Sequence, residues 1–160
     1  MKKILLLLAL LVAYYAHARF SFSEPRVATW LMGHETKAMS GNTAACDDYS
    51  DSLEVTLTAQ GRSGRWEVEG GKNEMCGYLK QAAAAFTVLQ ASTNSEFSDF
   101  KILPSGFPWN RARVTYRQLT HINVSGMPPM TIKSDDSLIL ARTISGLKIQ
   151  KIESQSTGGL

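Results

Sequence analysis

The chain has 160 residues, a formal net charge of +3 and 44% hydrophobic residues, a length sufficient for one domain with a sizeable core. Two of its 17 basic residues, Lys2 and Lys3, lie in the N-terminal segment, so the rest of the chain has 15 basic residues against 14 acidic ones. This balance excludes the concentrated basic surface that nucleic-acid binding requires.

The N-terminal segment has the three features of a secretory signal. Two lysines precede an apolar run over residues 4–13, and Ala16-His17-Ala18 supplies small residues two apart. This pattern predicts a signal peptide, residues 1–18, cleaved after Ala18, and a single mature domain, residues 19–160, that is periplasmic or secreted. An uncleaved membrane anchor is the alternative, although the apolar run is shorter than the about 20 residues that a span needs.

Helical patterns follow in three places. Ser23, Glu24 and Pro25 form a typical helix start, and apolar residues then recur at helical spacing to Ser40. A short helix is predicted over Ala44–Ser50. A longer helix is predicted over Lys72–Leu89, where a run of alanines favours helix formation and close packing.

Strand patterns dominate the rest of the chain. Alternating apolar and polar residues predict strands over Leu53–Thr58, Arg65–Glu69, Phe97–Leu103, Trp109–Val124, Thr131–Ile144 and Leu147–Ser154. Residues 155–160 are predicted to form a frayed tail. Because helices and strands are segregated, the fold class is α+β with an antiparallel sheet. A strongly curved sheet wrapped over three helices makes a cone, and its open end is an apolar pocket.

Cys46 and Cys76 are the only cysteines. In an exported chain an even, small number of cysteines favours a disulfide. Two free, buried thiols are the alternative. Two distant cysteines supply too few ligands for a metal site, and no metal or cofactor motif accompanies them.

The order and spacing of these elements resemble the nuclear transport factor 2-like superfamily, including its SnoaL-like and ketosteroid-isomerase-like branches. The resemblance rests on the first helix, Glu24–Ser40, the acid-containing short helix, the Gly70-Gly71 break before the long helix, and the closing hairpin Leu138–Ile152. It implies a curved sheet, a conical cavity and frequent dimers. It does not imply one activity, because the superfamily includes isomerases, cyclases, dehydratases and non-catalytic binding modules.

Three residues are weak candidates for acid–base chemistry. His34 lies on the apolar stripe of the first helix, where an imidazole is either a base or a core residue with one hydrogen bond. Asp47 and Asp48 lie in the short helix, which the resemblance places near the mouth of the cone. A carboxylate in an apolar cavity has a raised pKa, although adjacent aspartates are also typical of a solvated surface.

Aromatic side chains are candidates for the wall of the pocket, because large rings grip hydrophobic ligands. With His34, the predicted pocket residues are Trp30, Tyr49, Tyr78, Phe86, Trp109 and Tyr116. Tyr78 or Tyr116 would supply a hydroxyl donor in an isomerase-like site. Ordinary core packing is the alternative for these rings and for Trp66.

Arginines alternate along the predicted strand at residues 109–124. Arg111, Arg113 and Arg117 share one face, where they repel one another unless acids on neighbouring strands pair with them. Asp135, Asp136 and Glu153 are the candidate acids. The arginine face is therefore the predicted surface for a dimer or another protein partner, if it is not fully paired within the chain.

Three functions are consistent with these observations. The first is an exported module that binds a small apolar ligand in the cone or a protein partner on the sheet. The second is a cofactor-free isomerase or cyclase that uses an aspartate or histidine base. The third is a subunit of an envelope or secretion assembly. The sequence contains no coherent catalytic set, so the first hypothesis is favoured.

Overall fold

The structure is a computed structural model that describes residues 2–61 and 64–158. Its helices are α1 (Lys2–Ser21), α2 (Glu24–Met39), a short 3-10 helix (Thr43–Asp48) and α3 (Lys72–Val88). Its strands are β1 (Tyr49–Gly61), β2 (Gly64–Gly70), β3 (Ser92–Pro104), β4 (Arg111–Asn123), β5 (Met130–Thr143) and β6 (Gly146–Gly158). The predicted order of helices and strands is confirmed.

The six strands form one curved, unclosed sheet in the order β2-β1-β6-β5-β4-β3. Strands β3 to β6 make the predicted antiparallel meander. The pair β1–β6 is parallel, whereas each of the other neighbouring pairs is antiparallel. The α+β class and the cone-shaped sheet over three helices are confirmed.

The core lies between the inner face of the sheet and the helices α2 and α3. Val27 and Leu31 of α2 are buried against Val114, Leu138 and Leu140 of the sheet. Helix α3 has no fully buried residue, but Met75 and Leu79 pack on this core. The chain just after α2 lies close to α3. A β-carbon added at Gly41, which has φ +69°, would lie 2.9 Å from the β-carbon of Ala83.

The C-terminal prediction is wrong for residues 155–158. Strand β6 continues to Gly158, with Gln155 paired to Thr58 of β1 and to Asp135 of β5. The polar composition of residues 155–158 predicts a tail, but backbone pairing with β1 and β5 holds this segment in the sheet. Residues 159 and 160 of the predicted tail lie outside the described residues.

Helix α1 is long and apolar enough, by length and composition, to cross a membrane, and a secretory signal at the N-terminus has the same properties. Its leucines are exposed, whereas its last turns contact the domain. There Ala18 is 2% exposed, and the ring of Tyr15 lies 5.0 Å from that of Trp109. Cleavage after Ala18 would have to precede this packing.

Cys46 and Cys76 form the predicted disulfide, with their Cα atoms 5.8 Å apart. The bond ties the 3-10 helix to α3 across 30 residues of sequence. It thereby anchors the helix that carries Met75 and Leu79 to the segment that leads into β1.

We expect loss of this bond to destabilise the domain by about 3–4 kcal/mol, because the reduced chain regains the entropy of a loop of this length. Urea denaturation of the protein with and without reductant measures the change, and the double variant Cys46→Ser/Cys76→Ser is the control that reductant should not affect. An unchanged midpoint on reduction, or two free thiols in the unfolded, unreduced chain, would contradict the prediction.

Candidate functional site

A cavity of about 190 Å³ lies between the inner face of the sheet and the helices α2 and α3. Most of its wall is apolar. The apolar residues include Leu31, Leu57, Leu79, Leu138, Ile149 and Ile152. The predicted apolar hollow in the cone is therefore present, at a size that suits a small molecule rather than a drug-sized one.

The inner face of the sheet changes from apolar to polar between two neighbouring rows of residues. In one row Val114, Leu138 and Ile152 pair across β4, β5 and β6. Two residues further along, the same three strands pair Tyr116, Asp136 and Ser154, followed by Gln118, Ser134 and Ser156. Since side chains two apart on a strand share one face, this second row brings polar groups to the cavity wall.

His34 supplies a polar group from the opposite wall. Its Nδ1 lies 3.0 Å from Asp48 Oδ2, and its Nε2 lies 3.2 Å from the hydroxyl of Tyr49. Trp30 stacks on the imidazole with ring centroids 5.8 Å apart. Burial lowers the pKa of His34, although the hydrogen bond to Asp48 opposes this effect. The neutral ring can then donate from Nδ1 to Asp48 and accept at Nε2 from Tyr49.

Two carboxyl groups face the same cavity. Asp136 is buried, and Ser134 donates a 2.8 Å hydrogen bond to its Oδ2. Glu35 accepts a 2.6 Å hydrogen bond from Gln118 Nε2. Burial raises the pKa of both carboxyls, and the charge of Asp136 raises the pKa of Glu35 further. Each is therefore harder to ionise than a carboxyl in water.

Tyr116 contributes the third polar group of this wall. Its ring packs against Phe97 and Phe100, with centroids 5.5 Å and 5.4 Å away. Burial raises the pKa of its hydroxyl well above the usual value, and the nearby charges of Asp136 and Glu35 add to the effect. The hydroxyl therefore stays protonated and is available as a donor and an acceptor.

The structure brings together only some of the predicted pocket residues. His34, Tyr49 and Tyr116 line the cavity, and Trp30 reaches it only through its stack on His34. The other three, Tyr78, Phe86 and Trp109, do not line it. Tyr78 is 45% exposed and lies beside Trp66, Phe86 is half-buried elsewhere on α3, and Trp109 packs on α1.

The two candidate aspartates of the short helix also lie outside the cavity wall. Asp47 is exposed, and its backbone carbonyl accepts a hydrogen bond from Lys148. Asp48 lies between His34 and Lys37, whose Nζ is 2.7 Å from its Oδ2. Asp48 can therefore orient His34, but it does not face a bound molecule.

Sequence reasoning missed the acids that do face the cavity. Glu35 directly follows His34, and the apolar spacing of α2 gives no signal that its side chain reaches the cavity. Asp136 was assigned to the arginine face, but it lies on the inner face, because it is two residues before the buried Leu138 and four before Leu140. Counting back in steps of two from these leucines would have placed it in the cavity.

The arginine face lies on the other side of the sheet. Arg111, Arg113 and Arg117 are exposed there. Arg117 makes ion pairs with Asp99 at 2.9 Å and with Asp135 at 3.3 Å. Ion pairs within the chain therefore neutralise part of the positive charge on this face.

Among residues 2–61 and 64–158, no group of three or more histidine, cysteine, aspartate or glutamate side chains could hold a metal ion.

No model of a known protein family matches the sequence, and no curated protein matches it significantly. Solved structures do resemble it in three dimensions. A putative scytalone dehydratase from Novosphingobium aromaticivorans has a TM-score of 0.62 at 12% identity, covering 82% of this chain and 81% of that one. A putative calcium/calmodulin-dependent protein kinase II association domain from Xanthomonas campestris has a TM-score of 0.61 at 10% identity, covering 83% and 87%.

An NTF2-like protein with a cystatin-like fold, also from Novosphingobium aromaticivorans, has a TM-score of 0.56 at 15% identity, covering 83% of this chain and 89% of that one. At such identities the likeness concerns the fold alone, and the names of these proteins span an enzyme and an association domain. The chain has the cystatin-like cone fold of the nuclear transport factor 2-like superfamily.

Proposed function

We propose that this protein is an exported domain that binds a small, largely apolar molecule inside the cone. The observation that carries the proposal is the polar row on an otherwise apolar cavity wall. Leucine and isoleucine side chains would take the hydrocarbon part of the molecule, while Tyr116, Asp136 and Glu35 would fix the orientation of its polar group. A few polar groups in an apolar hollow are typical of small-molecule sites.

Energetics supports a binding role for the row. Burying Asp136 and half-burying Glu35 costs free energy that a leucine at either position would not cost, even with the hydrogen bonds from Ser134 and Gln118. Folding alone therefore gives no reason for these acids. Sites that bind or transform a ligand commonly accept such a cost in stability.

Export is supported by two separate features. Helix α1 begins with lysines, is apolar and lies at the N-terminus, as a secretory signal does. The disulfide between Cys46 and Cys76 is typical of a chain that folds in an oxidising compartment. We therefore place the mature domain in the periplasm or outside the cell.

Benzyl alcohol is a suitable probe of the cavity, with an apolar ring and one polar group. We expect it to bind with a Kd below about 1 mM and to shift the methyl NMR signals of Leu31, Leu138 and Ile152. Leu79→Trp, which puts a larger side chain into the cavity wall, should weaken binding at least about tenfold.

Tyr78→Trp is the matched control, since Tyr78 is on the same helix but points away from the cavity. It should bind like the unaltered protein. Absence of binding at millimolar benzyl alcohol, or equal affinity of the two tryptophan variants, would refute the ligand-binding proposal.

A cofactor-free proton-transfer enzyme is the second candidate. It is favoured by the pairing of Tyr116 with Asp136 across neighbouring strands. A carboxylate with a raised pKa is a stronger base, and an adjacent phenol can donate a hydrogen bond to the enolate oxygen that forms when a proton leaves the carbon beside a carbonyl. His34 is less suited as the direct base, because Tyr49 occupies its Nε2.

Isomerisation of 3-cyclohexenone to the conjugated 2-cyclohexenone tests this candidate, because ultraviolet absorbance follows it directly. If Asp136 is the base, Asp136→Asn should lower the catalysed rate by about 10² or more, whereas Asp47→Asn should leave it unchanged. No acceleration over buffer by the unaltered protein would count against isomerase activity on this type of substrate.

The raised pKa of Asp136 also predicts a gain of stability on its replacement. The folded protein holds the proton of Asp136 more tightly than the unfolded chain does, so the contribution of this group to stability falls as pH rises through its folded-state pKa. Asp136→Asn keeps the shape and can still bond Ser134, but it carries no charge. Its melting temperature at pH 8 should exceed that of the unaltered protein.

The difference in melting temperature should shrink as pH falls below the pKa of Asp136, where both side chains are neutral. Asp135→Asn is the control, because Asp135 is exposed on the outer face beside Arg117. Thermal scans from pH 4 to pH 8 measure the effect. A variant that is less stable than the unaltered protein at pH 8 would show that the charge of Asp136 is compensated.

A further inference from the structure

The charges that line the cavity are of one sign. Glu35 and Asp136 both face it, and none of the lining residues that the structure describes is a lysine or arginine. The nearest basic side chain of α2, Lys37, is already paired with Asp48. His34 also lines the cavity, but burial lowers its pKa and keeps it neutral near pH 7. The two acids therefore lack a cationic partner within the cavity.

Tyr116 adds an independent sign of an incomplete site. The residue is 9% exposed, yet its hydroxyl makes no hydrogen bond among the described residues. No fully enclosed side-chain nitrogen or oxygen in the described part of the chain lacks a partner. The free hydroxyl must therefore reach open space, and the cavity that Tyr116 lines supplies that space. A buried hydroxyl held without a partner is available to a ligand.

We propose that Tyr116, Asp136 and Glu35 form a subsite for an ammonium group, so that the molecule bound in the cone is a small amphiphilic amine. This inference rests on the ligand-binding function proposed above and specifies its ligand class. The paired position of Tyr116 and Asp136 on β4 and β5, with Glu35 on α2, gives the group acceptors from two walls of one cavity.

The number of hydrogen-bond acceptors in the subsite suits an ammonium group. A primary ammonium carries three donors, and a carboxylate has about four lone-pair sites. Sites therefore remain beyond the hydrogen bonds of Asp136 with Ser134 and Ser154 and of Glu35 with Gln118 and Ser95. The phenol oxygen of Tyr116 can accept the third bond. Phe97, which also lines the cavity, adds an aromatic ring near the subsite, and aromatic rings attract cations.

Anionic and neutral ligands suit this subsite less well than a cation does. A carboxylate ligand would add a third acid to a cavity without a basic residue, and like charges in a desolvated site repel strongly. A neutral alcohol could bond Tyr116 but would leave both acids without a counter-charge. Among these ligands, a cation is the one that offsets the cost of ionising Glu35 and Asp136 inside the cone.

Benzylamine, benzyl alcohol and benzoate form a matched set of probes for this inference, since they share one ring and differ in charge at pH 7. Isothermal titration calorimetry of the mature protein should show benzylamine binding about tenfold or more tightly than benzyl alcohol, as expected for charge-assisted hydrogen bonds. Benzoate should bind most weakly. The ratio of the first two affinities is the readout, because a general loss of folding would not change it selectively.

Asp136→Asn should reduce the ratio of benzylamine affinity to benzyl alcohol affinity to about twofold or less. Asp135→Asn, its neighbour on the outer face, should keep the full preference. Equal affinities of benzylamine and benzyl alcohol for the unaltered protein would overturn the ammonium subsite and leave the ligand-binding function intact. Failure of all three probes to bind would overturn both.

Discussion

The register between β4 and β5 is the constraint on which the site depends. It pairs Tyr116 with Asp136 on the inner face and Arg117 with Asp135 on the outer face. A slip by one residue would exchange the two faces and bury an arginine in the cone. The apolar pairs Val114–Leu138 and Ala112–Leu140 in the same ladder oppose such a slip, because a shift of β4 by one residue would expose Ala112 and Val114, which are now buried. Burial of these apolar pairs thus fixes the register that places Tyr116 and Asp136 on the inner face.

The fold could be predicted largely because local signals agreed with one another. Proline and an early acid mark the start of α2, and the long strands of the meander alternate clearly. The parallel pair β1–β6 could not be predicted, because alternation within a strand does not say which strand will lie beside it. The C-terminal extension of β6 was missed for a related reason: residues 155–158 are polar, and their order comes from two backbone ladders rather than from side-chain burial.

The site was harder to predict than the fold. His34, Tyr49 and Tyr116 were chosen by residue type, and the three meet because β1 begins directly after the 3-10 helix and brings Tyr49 under α2. Trp109 and Tyr78 were chosen on the same grounds, but aromatic type alone does not determine on which side of an element a ring lies. The useful signal is the alternation of side chains along β5. Asp136, Leu138 and Leu140 are two residues apart and share the inner face, so Asp136 rather than Asp135 faces the cavity.

The cone explains why a shared fold need not mean a shared function. Its apolar rows are required for folding, so any chain of this architecture must have them, whereas the row that contains Tyr116 and Asp136 borders this core and brings polar groups to the cavity wall. Polar substitutions in that row affect the cavity while leaving the packing of Val114, Leu138 and Leu140 unchanged. The row can therefore vary between proteins that keep the same core, and its groups determine what each cavity recognises. In this chain the row contains a buried acid and a phenol hydroxyl beside Glu35 of α2, and these groups are the basis of the proposed preference for a molecule that brings donors and positive charge.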